Sequence, residues 1–598
     1  MLNIIKQLFS LLSPSQRKRF YLLQFLVILM AFMEIVGVAS IIPFMSLVGD
    51  MSLLQQDPFY SHAYQVSGIK SESEFVFLLG VGVVIILFIS ASVSIFTSWK
   101  LSMFGTQVGS ELSTRLYNHF LKQNWLFHAS GNTAIITKKI VTETNRVSGG
   151  VILPLMQMNA RIVFALFMII SIFIYNPKVA IVGTTFIASL YFILFSMVKS
   201  RIERDGKAIS TTFAKRFLLV NEAFGGIKDV LLLGRAKGFI KSFNQSSKKL
   251  AYSQGMITTL AQVPRFFIEV LAFSLMIAVT LYLFSSYDGN LGMILPTLSL
   301  YALAAFKLLP ALHNIYANFT TMKSNIAAFQ SIKNDLDASI ITETSAFEAE
   351  SGRLHIKQQI SLEDITFTYP GQTKSTLKEV SIKIPVNSVV GIVGPSGSGK
   401  STLINIILGL INPQIGELKV DGVVINNKNL RSWQNTIGFV AQNIFLSDRS
   451  IAENVAFGIS KNKIDLNRVD HAIKLSHLTN LVQSYETGIY TEVGERGVQL
   501  SGGQSQRIGI ARALYNKAEL LVFDEATSSL DGISEKKVME AIHEFGGKKT
   551  IIMVAHRIKT VQNCDQIFYI DEGQVTDHGT YKELIDRNED FRNMTKQA

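Results

Sequence analysis

The order of apolar and polar residues divides this chain into two unlike halves. Six apolar stretches in the first 340 residues are each long enough to cross a bilayer, which takes about 20 helical residues. They cover residues 20–48, 75–103, 151–175, 179–198, 257–285 and 291–319. Beyond residue 355, short buried-type runs alternate with helical spacing, which is typical of an α/β domain. The pattern predicts a membrane domain with six transmembrane helices (1–340), a polar linker (341–354) and an α/β domain (355–598).

The distribution of charge supports this division. The chain has 598 residues, of which 48% are hydrophobic, and a formal net charge of +12. Residues 1–340 hold 29 Lys and Arg against 15 Asp and Glu, whereas residues 341–598 hold 28 against 30. A basic excess confined to the apolar half indicates loops beside an anionic membrane leaflet, and no nucleic-acid partner is expected. The single cysteine, Cys564, excludes an intrachain disulfide and fits a reducing cytosolic side.

The positions of the basic residues also predict an orientation. Four Lys and Arg precede the first span, five lie across 104–150 and 12 lie across 199–256, but only Lys70 lies in 49–74. Basic residues concentrate in cytoplasmic loops. We therefore expect both termini and the two long connections to be cytosolic, with each long connection extending a membrane helix beyond the bilayer.

The most informative motif is Gly394-Pro395-Ser396-Gly397-Ser398-Gly399-Lys400-Ser401, which fits the phosphate-loop pattern G-x-x-x-x-G-K-S. An apolar run at 388–393 leads into it as a buried strand, and 402–410 leads out with helical spacing. Glycines let successive backbone N–H groups face a polyphosphate, and the following helix adds its positive dipole end. Lys400 is expected to reach the β- and γ-phosphates, and Ser401 to bind Mg²⁺.

Four further segments carry residue types that ATP hydrolysis requires. The run 520–525 reads as a buried strand that ends in Asp524, suited to Mg²⁺, and Glu525, suited to polarising the attacking water. Ser501, Gly502, Gly503 and Gln504 open a helical segment and form a second anion-ready cluster of amides. Gln442 follows the predicted strand 437–440, and His556 follows the predicted strand 550–554.

In this order and spacing, these features resemble the nucleotide-binding domain of an ABC transporter. The resemblance implies ATP and Mg²⁺ as cofactors, with Tyr369 as the adenine-stacking aromatic, Asp531 as the D-loop residue and His556 as the switch histidine. It implies a catalytic role for Glu525, His556 and Gln442, and Mg²⁺ binding by Ser401, Gln442 and Asp524. The residues expected to contact ATP are Tyr369, Gly394, Ser396, Gly397, Ser398, Gly399, Lys400, Ser401, Thr402, Ser501, Gly502, Gly503, Gln504 and Asp531.

The same resemblance predicts a homodimer. In the family, ATP lies between the phosphate loop of one copy and the signature segment of another. One loop at 394 and one signature at 501 therefore require two chains, which form two composite sites. The exporter layout also places short coupling helices at the cytosolic turns, for which 131–142 and 221–234 are the candidates; ordinary solvated loops are the alternative.

Ionisable residues inside membrane spans are costly, so they point to function. Arg265 and Glu269 are spaced i, i+4, and a self-neutralising structural pair is one interpretation. Arg161 lies near a membrane end, where its side chain can reach the interface, and Glu34 is a further case. In the second interpretation, Arg265 and Lys307 from two subunits line a cavity with four positive charges, which suits an anionic head group such as a pyrophosphate.

The external connection at 49–74 contains a candidate interfacial helix. Asp57 is a typical N-cap and Pro58 suits the first helical position. Phe59, Tyr60 and Tyr64 then share a face until Gly68. An amphipathic helix over 57–67, lying in the membrane interface, is one prediction; an ordinary loop with a few aromatic residues is the other.

A second resemblance concerns the substrate. The run 261–269 (AQVPRFFIE), the Leu308-Leu309-Pro310 run after Lys307 and the Ile41-Ile42-Pro43-Phe44 run resemble bacterial flippases of lipid-linked oligosaccharides. That resemblance implies a homodimer in the bacterial inner membrane that moves a polyprenyl-pyrophosphate glycan to the outer leaflet for glycan or glycoprotein assembly. The alternatives are a multidrug, lipid A or peptide exporter and, in another class, an ATP-gated channel or regulator. Six spans exclude a soluble DNA-handling ATPase.

Overall fold

The computed structural model of the chain forms two compact units. It describes residues 2–175, 177–286, 291–344, 352–494, 497–525, 544–555 and 557–597, together with residues 535, 536, 539, 540 and 542. The first unit comprises Met1–Gln123 and Phe127–Ala346, and the second comprises Asn124–Leu126 and Phe347–Ala598. The second unit thus includes a three-residue segment that precedes the candidate coupling stretch at 131–142.

The first unit consists of helices joined by turns in its described residues, and α7 begins in the three-residue segment of the second unit. Its helices are α1 (Leu2–Leu11), α2 (Pro14–Ala39), α3 (Ile41–Gly49), α4 (Leu53–Gln56), α5 (Pro58–Ser67), α6 (Glu72–Leu121), α7 (Trp125–Ser130), α8 (Thr133–Thr137), α9 (Thr144–Val147), α10 (Leu153–Tyr175), α11 (Pro177–Gly225), α12 (Ile227–Leu232), α13 (Ala236–Ser286) and α14 (Leu291–Thr344). Two π-helical segments, Lys138–Glu143 and Ser148–Ile152, flank α9. Helix α12 lies inside the candidate coupling stretch 221–234.

Several of these helices have the length and composition of membrane spans. Among the described residues, five segments qualify: Pro14–Gly49, Glu72–Leu121, Thr133–Ile174, Gly183–Gly225 and Ala236–Ala278. The sixth apolar stretch of the sequence, 291–319, falls on α14, whose side chains are described from Ala302 to Ser339. Helices α6 and α11 continue well beyond their apolar stretches, because polar helical sequence follows without a break, and α13 begins well before its apolar stretch for the same reason.

The short helix predicted after Asp57 is present as α5. The Asp57 carboxylate accepts a hydrogen bond from the Phe59 amide at 2.8 Å, and Gly68 ends the helix with a φ of 67°. Left-handed backbone of this kind favours glycine. Tyr60 and Tyr64 pack on a small cluster that includes Leu47, whereas 73% of Phe59 is exposed. The helix is confirmed, but Phe59 does not share the packed face of Tyr60 and Tyr64 that the sequence pattern predicted for all three residues.

The third membrane segment carries a buried cluster of charges where the π-helical turns lie. Glu143 has no solvent exposure and contacts two cations, Lys138 at 2.6 Å and Arg146 at 3.0 Å. The Ser210 hydroxyl of α11 donates to Glu143 at 2.8 Å, and Arg146 Nε donates to Asn325 of α14 at 3.1 Å. A buried carboxylate is tolerated because its charge is matched and its oxygens accept hydrogen bonds. The cluster therefore ties three helices together through one anion.

The second unit is an α/β domain with two sheets. Its strands are β1 (Gln359–Phe367), β2 (Leu377–Pro385), β3 (Val389–Val393), β4 (Ile415–Val420), β5 (Val423–Val424), β6 (Ile437–Val440), β7 (Leu520–Asp524), β8 (Thr550–Val554), β9 (Gln566–Asp571) and β10 (Gln574–Gly579). Its described helices are α15 (Lys400–Ile407), α16 (Leu430–Gln434), α17 (Ile451–Val455), α18 (Leu466–Leu475), α19 (Thr479–Gln483), α20 (Gly502–Tyr515), α21 (Tyr581–Arg587) and α22 (Glu589–Gln597).

Strand order in the larger sheet is what brings the motifs together. The order is β10-β9-β3-β8-β7-β6, with parallel pairing from β9 through to β6 and β10 antiparallel at one edge. All residues of β3 and β8 are buried, because helices cover both faces of a parallel sheet. The smaller sheet is antiparallel, in the order β2-β1-β4-β5.

The charge cluster around Glu143 gives a stability prediction. Glu143→Gln removes the anion and leaves Lys138 and Arg146 without their shared partner. Removal of one member of a buried pair typically costs about 3–5 kcal/mol. We expect a clear drop in the melting temperature of the purified protein. Glu74→Gln, at an exposed position in the first turn of α6, should change stability by no more than about 1 kcal/mol. Equal melting temperatures for the two variants would contradict the role given to the cluster.

Candidate functional site

The residues predicted to act on ATP lie at one edge of the larger sheet. The phosphate loop follows β3, Gln442 follows β6, and Asp524 ends β7 with Glu525 directly after it. Because these strands are parallel, their carboxyl ends meet at the same edge, where open α/β sheets bind ligands. The sheet therefore collects residues that are more than 80 positions apart in sequence, as for the Gln442–Glu525 contact.

The phosphate loop depends on a close approach at Gly394. This glycine has a φ of 154°, and a Cβ atom there would lie 1.9 Å from the carbonyl oxygen of Ile570. No side chain fits that space, because the obstacle is backbone. After the loop, Lys400 begins α15 and is only 5% exposed. Its ammonium donates to the carbonyl oxygens of Gly394 at 2.9 Å and Pro395 at 2.8 Å, so the side chain bends back over the loop.

The electrostatics of Lys400 suit a site that takes an anion. Burial lowers the pKa of its ammonium, while the carboxylates of Glu525 and Asp524 oppose that shift. The loop also contains Ser398, which is 4% exposed and whose hydroxyl has no hydrogen-bond partner among the described residues. A cation held on backbone oxygens and a buried hydroxyl without a partner are groups that a phosphate ligand would satisfy.

Tyr369 lies beside the helix that follows the loop. Its hydroxyl is 3.2 Å from Oγ1 of Thr402, and its ring packs edge to face against Phe367 with a 5.0 Å separation of centroids. The strand that carries Phe367 and the helix that carries Thr402 thus hold the ring in place. This position is compatible with the adenine-stacking role that the sequence predicts.

Gln442 and Glu525 are in direct contact. The Gln442 side-chain amide donates to Oε2 of Glu525 at 2.7 Å. Glu525 has a φ of 49°, a left-handed conformation that is uncommon for residues other than glycine. Its amide donates to the Val554 carbonyl at 3.0 Å, which fixes this turn to β8. Such strain is typical of functional sites, where the surrounding structure holds it in place.

The signature segment forms the start of α20. Ser501 and Gln504 form a capping box: the Ser501 hydroxyl accepts from the Gln504 amide at 3.3 Å, and the Gln504 side chain accepts from the Ser501 amide at 2.8 Å. Ser501 and Gly502 are exposed, whereas Gly503 is buried. The segment therefore presents a helix N-terminus to the solvent side of a single chain.

One residue that links these parts was missed in the sequence. Gln506 is 3% exposed, and its side chain donates to the Gln442 carbonyl at 2.7 Å. This contact joins the signature helix to the segment after β6. The sequence does contain a signal for this contact. Gln506 shares a helical face with the apolar residues Ile510 and Ala513, and a polar side chain on a buried face needs a hydrogen-bond partner.

Asp531 and His556 lie outside the described residues. Their predicted roles therefore rest on the sequence pattern. The other predicted ATP-site residues fall into two groups. Tyr369 and the residues of the phosphate loop and of the strand ends lie on adjacent elements of the second unit, and the signature residues lie at the start of α20.

The charged residues of the membrane unit divide into two groups. Arg265 and Glu269 form the i, i+4 pair, with Nε donating to Oε1 at 2.5 Å, and both side chains also line a cavity of about 770 Å³. The two interpretations of Arg265 are thus compatible. Lys307 is exposed and, among the described residues, does not belong to the lining of that cavity. His313 and Asn314, which the sequence analysis did not single out, do line the cavity. A histidine inside a membrane span is a signal that could have identified His313.

Glu34 and Arg161 form a separate pair. Arg161 NH1 lies 3.6 Å from Oε1 of Glu34, and the Ser94 hydroxyl donates to the same carboxylate oxygen at 2.9 Å. Glu34 is 8% exposed. Arg161 is therefore paired with a carboxylate on another helix. The sequence pattern had predicted only that its side chain reaches the membrane interface.

Comparisons with known proteins agree with this division. A family model described as "ABC transporter transmembrane region" matches residues 17–306, and one described as "ABC transporter" matches residues 377–528. A protein of Cupriavidus pinatubonensis named ATP-dependent lipid A-core flippase is 29% identical over 499 residues, which are 82% of each chain. A Vibrio vulnificus protein of the same name is 29% identical over 541 residues, covering 88% of this chain and 91% of the relative.

The fold is also similar to a solved structure. A structure described as a bacterial Atm1-family ABC exporter with ATP bound superposes with a TM-score of 0.77, covering 97% of this chain and 98% of that chain. The sequence identity is 20%, so this likeness concerns the fold. Both the helical unit and the α/β unit are included in the match.

The contact between Gln442 and Glu525 leads to a prediction on catalysis. Glu525→Gln keeps the size of the side chain but removes the carboxylate that would polarise a water. We expect ATP binding to remain and steady-state hydrolysis to fall by about 10²–10⁴-fold, the usual contribution of a general base. Nucleotide binding by equilibrium titration and phosphate release by a colorimetric assay measure the two effects.

Lys400→Ala serves as the contrasting variant. Removal of the ammonium takes a positive charge from the loop, so binding itself should weaken. Hydrolysis near the wild-type rate in the Glu525→Gln protein, under saturating ATP, would overturn the assignment of Glu525.

Proposed function

This chain belongs to the ABC transporter family as an exporter-type half-transporter with its own ATPase domain, and we propose that it flips an anionic lipid-linked glycan across a membrane. The chain is a multi-pass membrane protein that binds ATP, and ATP hydrolysis drives transport. The observation that carries the proposal is the cavity at Arg265 and Glu269, which places charged side chains within an apolar helical unit.

At the ATPase site, the phosphate loop and Lys400 would hold the phosphates, and Tyr369 would stack on the base. Glu525 would orient and polarise the attacking water while Gln442 holds the carboxylate through its side-chain amide. His556 and Asp531 would complete the site as the sequence resemblance implies. The arrangement supports this assignment because the same sheet edge positions the loop, Gln442 and Glu525.

Ser401, Gln442 and Asp524 would hold Mg²⁺. They offer hydroxyl, amide and carboxylate oxygens, the ligand types that this cation prefers. Mg²⁺ would neutralise charge that develops on the phosphates.

We assign the working unit as a homodimer. The signature residues Ser501 and Gly502 are exposed in the single chain, which fits a second phosphate contact made across an interface. Each composite site would then combine the phosphate loop of one protomer with the signature segment of its partner.

Mixed dimers test this arrangement. In a heterodimer of Lys400→Ala and Ser501→Arg chains, both changes fall on one composite site, and the other site keeps Lys400 and Ser501. We expect measurable hydrolysis in the purified heterodimer and almost none in either homodimer. The doubly substituted chain paired with the wild type is the matched control, because it damages one element of each site. Hydrolysis by this control with almost none in the heterodimer of Lys400→Ala and Ser501→Arg chains would contradict the head-to-tail arrangement.

The proposed substrate is a polyprenyl-pyrophosphate glycan moved from the cytosolic to the outer leaflet of the bacterial inner membrane, with the ATPase domain and both termini in the cytosol. Two features support it: the sequence segments that resemble flippases of lipid-linked oligosaccharides, and the cationic side chain of Arg265, which lines the cavity. A charge that faces a water-filled cavity would bind a pyrophosphate by charge more than by shape, with about 1–2 kcal/mol from Arg265 at an effective dielectric near 20. Lys307, which the sequence pattern paired with Arg265, lies outside the lining of that cavity among the described residues.

A second candidate substrate is a lipid A-core glycolipid. The relatives with 29% identity are named for that activity, and such lipids also combine an anionic head with hydrocarbon chains. Multidrug or peptide export has no comparable observation in its favour. An ATP-gated channel or regulator would not need Glu525, since a gate can work without turnover.

Reconstituted protein decides between the two lipids. We expect liposome flipping assays to give ATP-dependent movement of the polyprenyl-pyrophosphate glycan, and slower movement of lipid A-core. Arg265→Gln should cut lipid flipped per ATP hydrolysed by about tenfold, as expected for a loss of about 1–2 kcal/mol, whereas Lys307→Gln, outside the cavity lining, is the control. Arg265→Gln with Glu269→Gln is the companion variant, because it removes the cation without leaving an unpaired carboxylate. Normal flipping by the folded Arg265 variants would refute the head-group role.

A further inference from the structure

The membrane unit contains an apolar cavity next to the one that Arg265 lines. Its volume is about 450 Å³, within the range of ligand sites, and residues of α10, α11, α13 and α14 line it. On α11 the lining runs from Ala180 to Phe195. At 1.5 Å per helical residue this is about 22 Å, or most of the thickness of a bilayer's hydrocarbon core. The cavity is therefore long, narrow and apolar.

Aromatic rings mark one end of this cavity. The rings of Phe195 and Phe319 pack edge to face with centroids 4.9 Å apart, and these are the last lining residues on α11 and α14. The rings of Tyr191 and Tyr316, one turn before them, lie 5.5 Å apart. Four rings from two helices thus stand together where the lining ends.

The apolar and polar cavities are adjacent and share a wall. Tyr191, Ile268, Met276, Ala305 and Leu309 line both of them. On the other side of this shared wall, the larger cavity presents Arg265 and Glu269 of α13 and His313 of α14. His313 is half-buried, and its Nδ1 has no hydrogen-bond partner among the described residues. An apolar compartment therefore lies beside a compartment with ionic and hydrogen-bonding groups.

The two cavities lie side by side along the helices. On α13, Arg265 lies on the cytosolic side of the apolar-lining residues Ile268 and Met276 in the proposed orientation. On α14, His313 lies within the stretch from Ala304 to Phe319 that lines the apolar cavity. The apolar lining continues on α11 to Ala180, near the start of that helix. A hydrocarbon chain can therefore lie along the apolar cavity while its head group lies beside it, at Arg265.

We propose that the two cavities form one lipid site within each chain, in which the apolar cavity holds a hydrocarbon chain of the transported lipid while Arg265 and His313 meet its anionic head group. This inference rests on the proposed lipid-flipping function and adds the position of the lipid's hydrocarbon chain. His313 is a specificity residue in this site, because it lines the polar cavity together with Arg265. The hydrocarbon chain of the lipid then lies inside the protein, and not in the surrounding bilayer, before transport begins.

Photolabelling in lipid nanodiscs tests the site directly. The probe is a polyprenyl pyrophosphate with a diazirine at the far end of its chain, and the comparison probe is the neutral polyprenol with the same diazirine. We expect mass spectrometry to place most cross-links of the pyrophosphate probe on the cavity-facing residues of α11 and α14. The neutral probe should label these residues at least tenfold less, because it lacks the anionic head.

A cavity-filling variant provides the sharper test. A Cβ atom at Gly183, which lines the apolar cavity, would meet nothing within 4 Å, so Gly183→Leu projects a side chain into that space. Gly82→Leu is the matched control: Gly82 is also in an apolar helix with free space at Cβ, but it lines neither cavity. We expect Gly183→Leu to lower cavity labelling by at least tenfold and Gly82→Leu to leave it unchanged, with equal elution of both from size-exclusion chromatography.

The outcomes separate this inference from the proposed function. Labelling spread over the lipid-facing surface, or unchanged by Gly183→Leu, overturns the site even if the wild-type protein flips the lipid. Specific labelling by a wild-type protein that flips neither candidate lipid supports the site and refutes the proposed function. His313→Ala should weaken labelling by the pyrophosphate probe and leave the weak labelling by polyprenol unchanged; equal loss for both probes would remove His313 from the head-group role.

Discussion

The approach of the Gly394 backbone to the Ile570 carbonyl is the constraint on which the ATPase domain depends. Ile570 belongs to β9, which pairs with β3, so the sheet itself sets the course of the loop that leaves β3. With only hydrogen on the Gly394 α-carbon, the loop can turn tightly enough for its carbonyl oxygens to receive the Lys400 ammonium. The neighbouring strands then place Gln442 and Glu525 at the same edge. Strand pairing thus determines where the ATP-site residues lie, and the side chains at those positions provide the reactive groups.

A different constraint governs the membrane unit, where several charges are held in pairs or clusters. Glu34 with Arg161, Glu143 with Lys138 and Arg146, and Arg265 with Glu269 are the cases. The first pair joins two helices, and the Glu143 cluster reaches α11 and α14 through hydrogen bonds, so both fix helix packing. The pair at Arg265 differs because its side chains are about half exposed and line a cavity.

Much of this architecture could be predicted from the sequence because its signals are local. The phosphate loop, the strand ends and the cap at Asp57 each depend on a few consecutive residues, and the structure shows a loop after β3, a turn after β7 and the helix α5. The pairing of Arg161 with Glu34 could not be deduced, since it joins positions on two helices whose relative rotation no local pattern records. The same reason hid the contact from Gln506 to the Gln442 carbonyl and the position of Lys307 outside the cavity lining.

The two π-helical segments on either side of α9 change how this part of the chain should be compared with its relatives. A π-helical turn closes its hydrogen bond at i+5 and so contains one residue more than an α-helical turn. Each extra residue displaces the following side chains by about 100° relative to a continuous α-helix. Across 138–152 the helical phase therefore slips twice, and a residue-by-residue alignment without gaps would assign Val151 to the wrong face. Sequence relatives that lack these turns should be one residue shorter at each, with the flanking faces still in register.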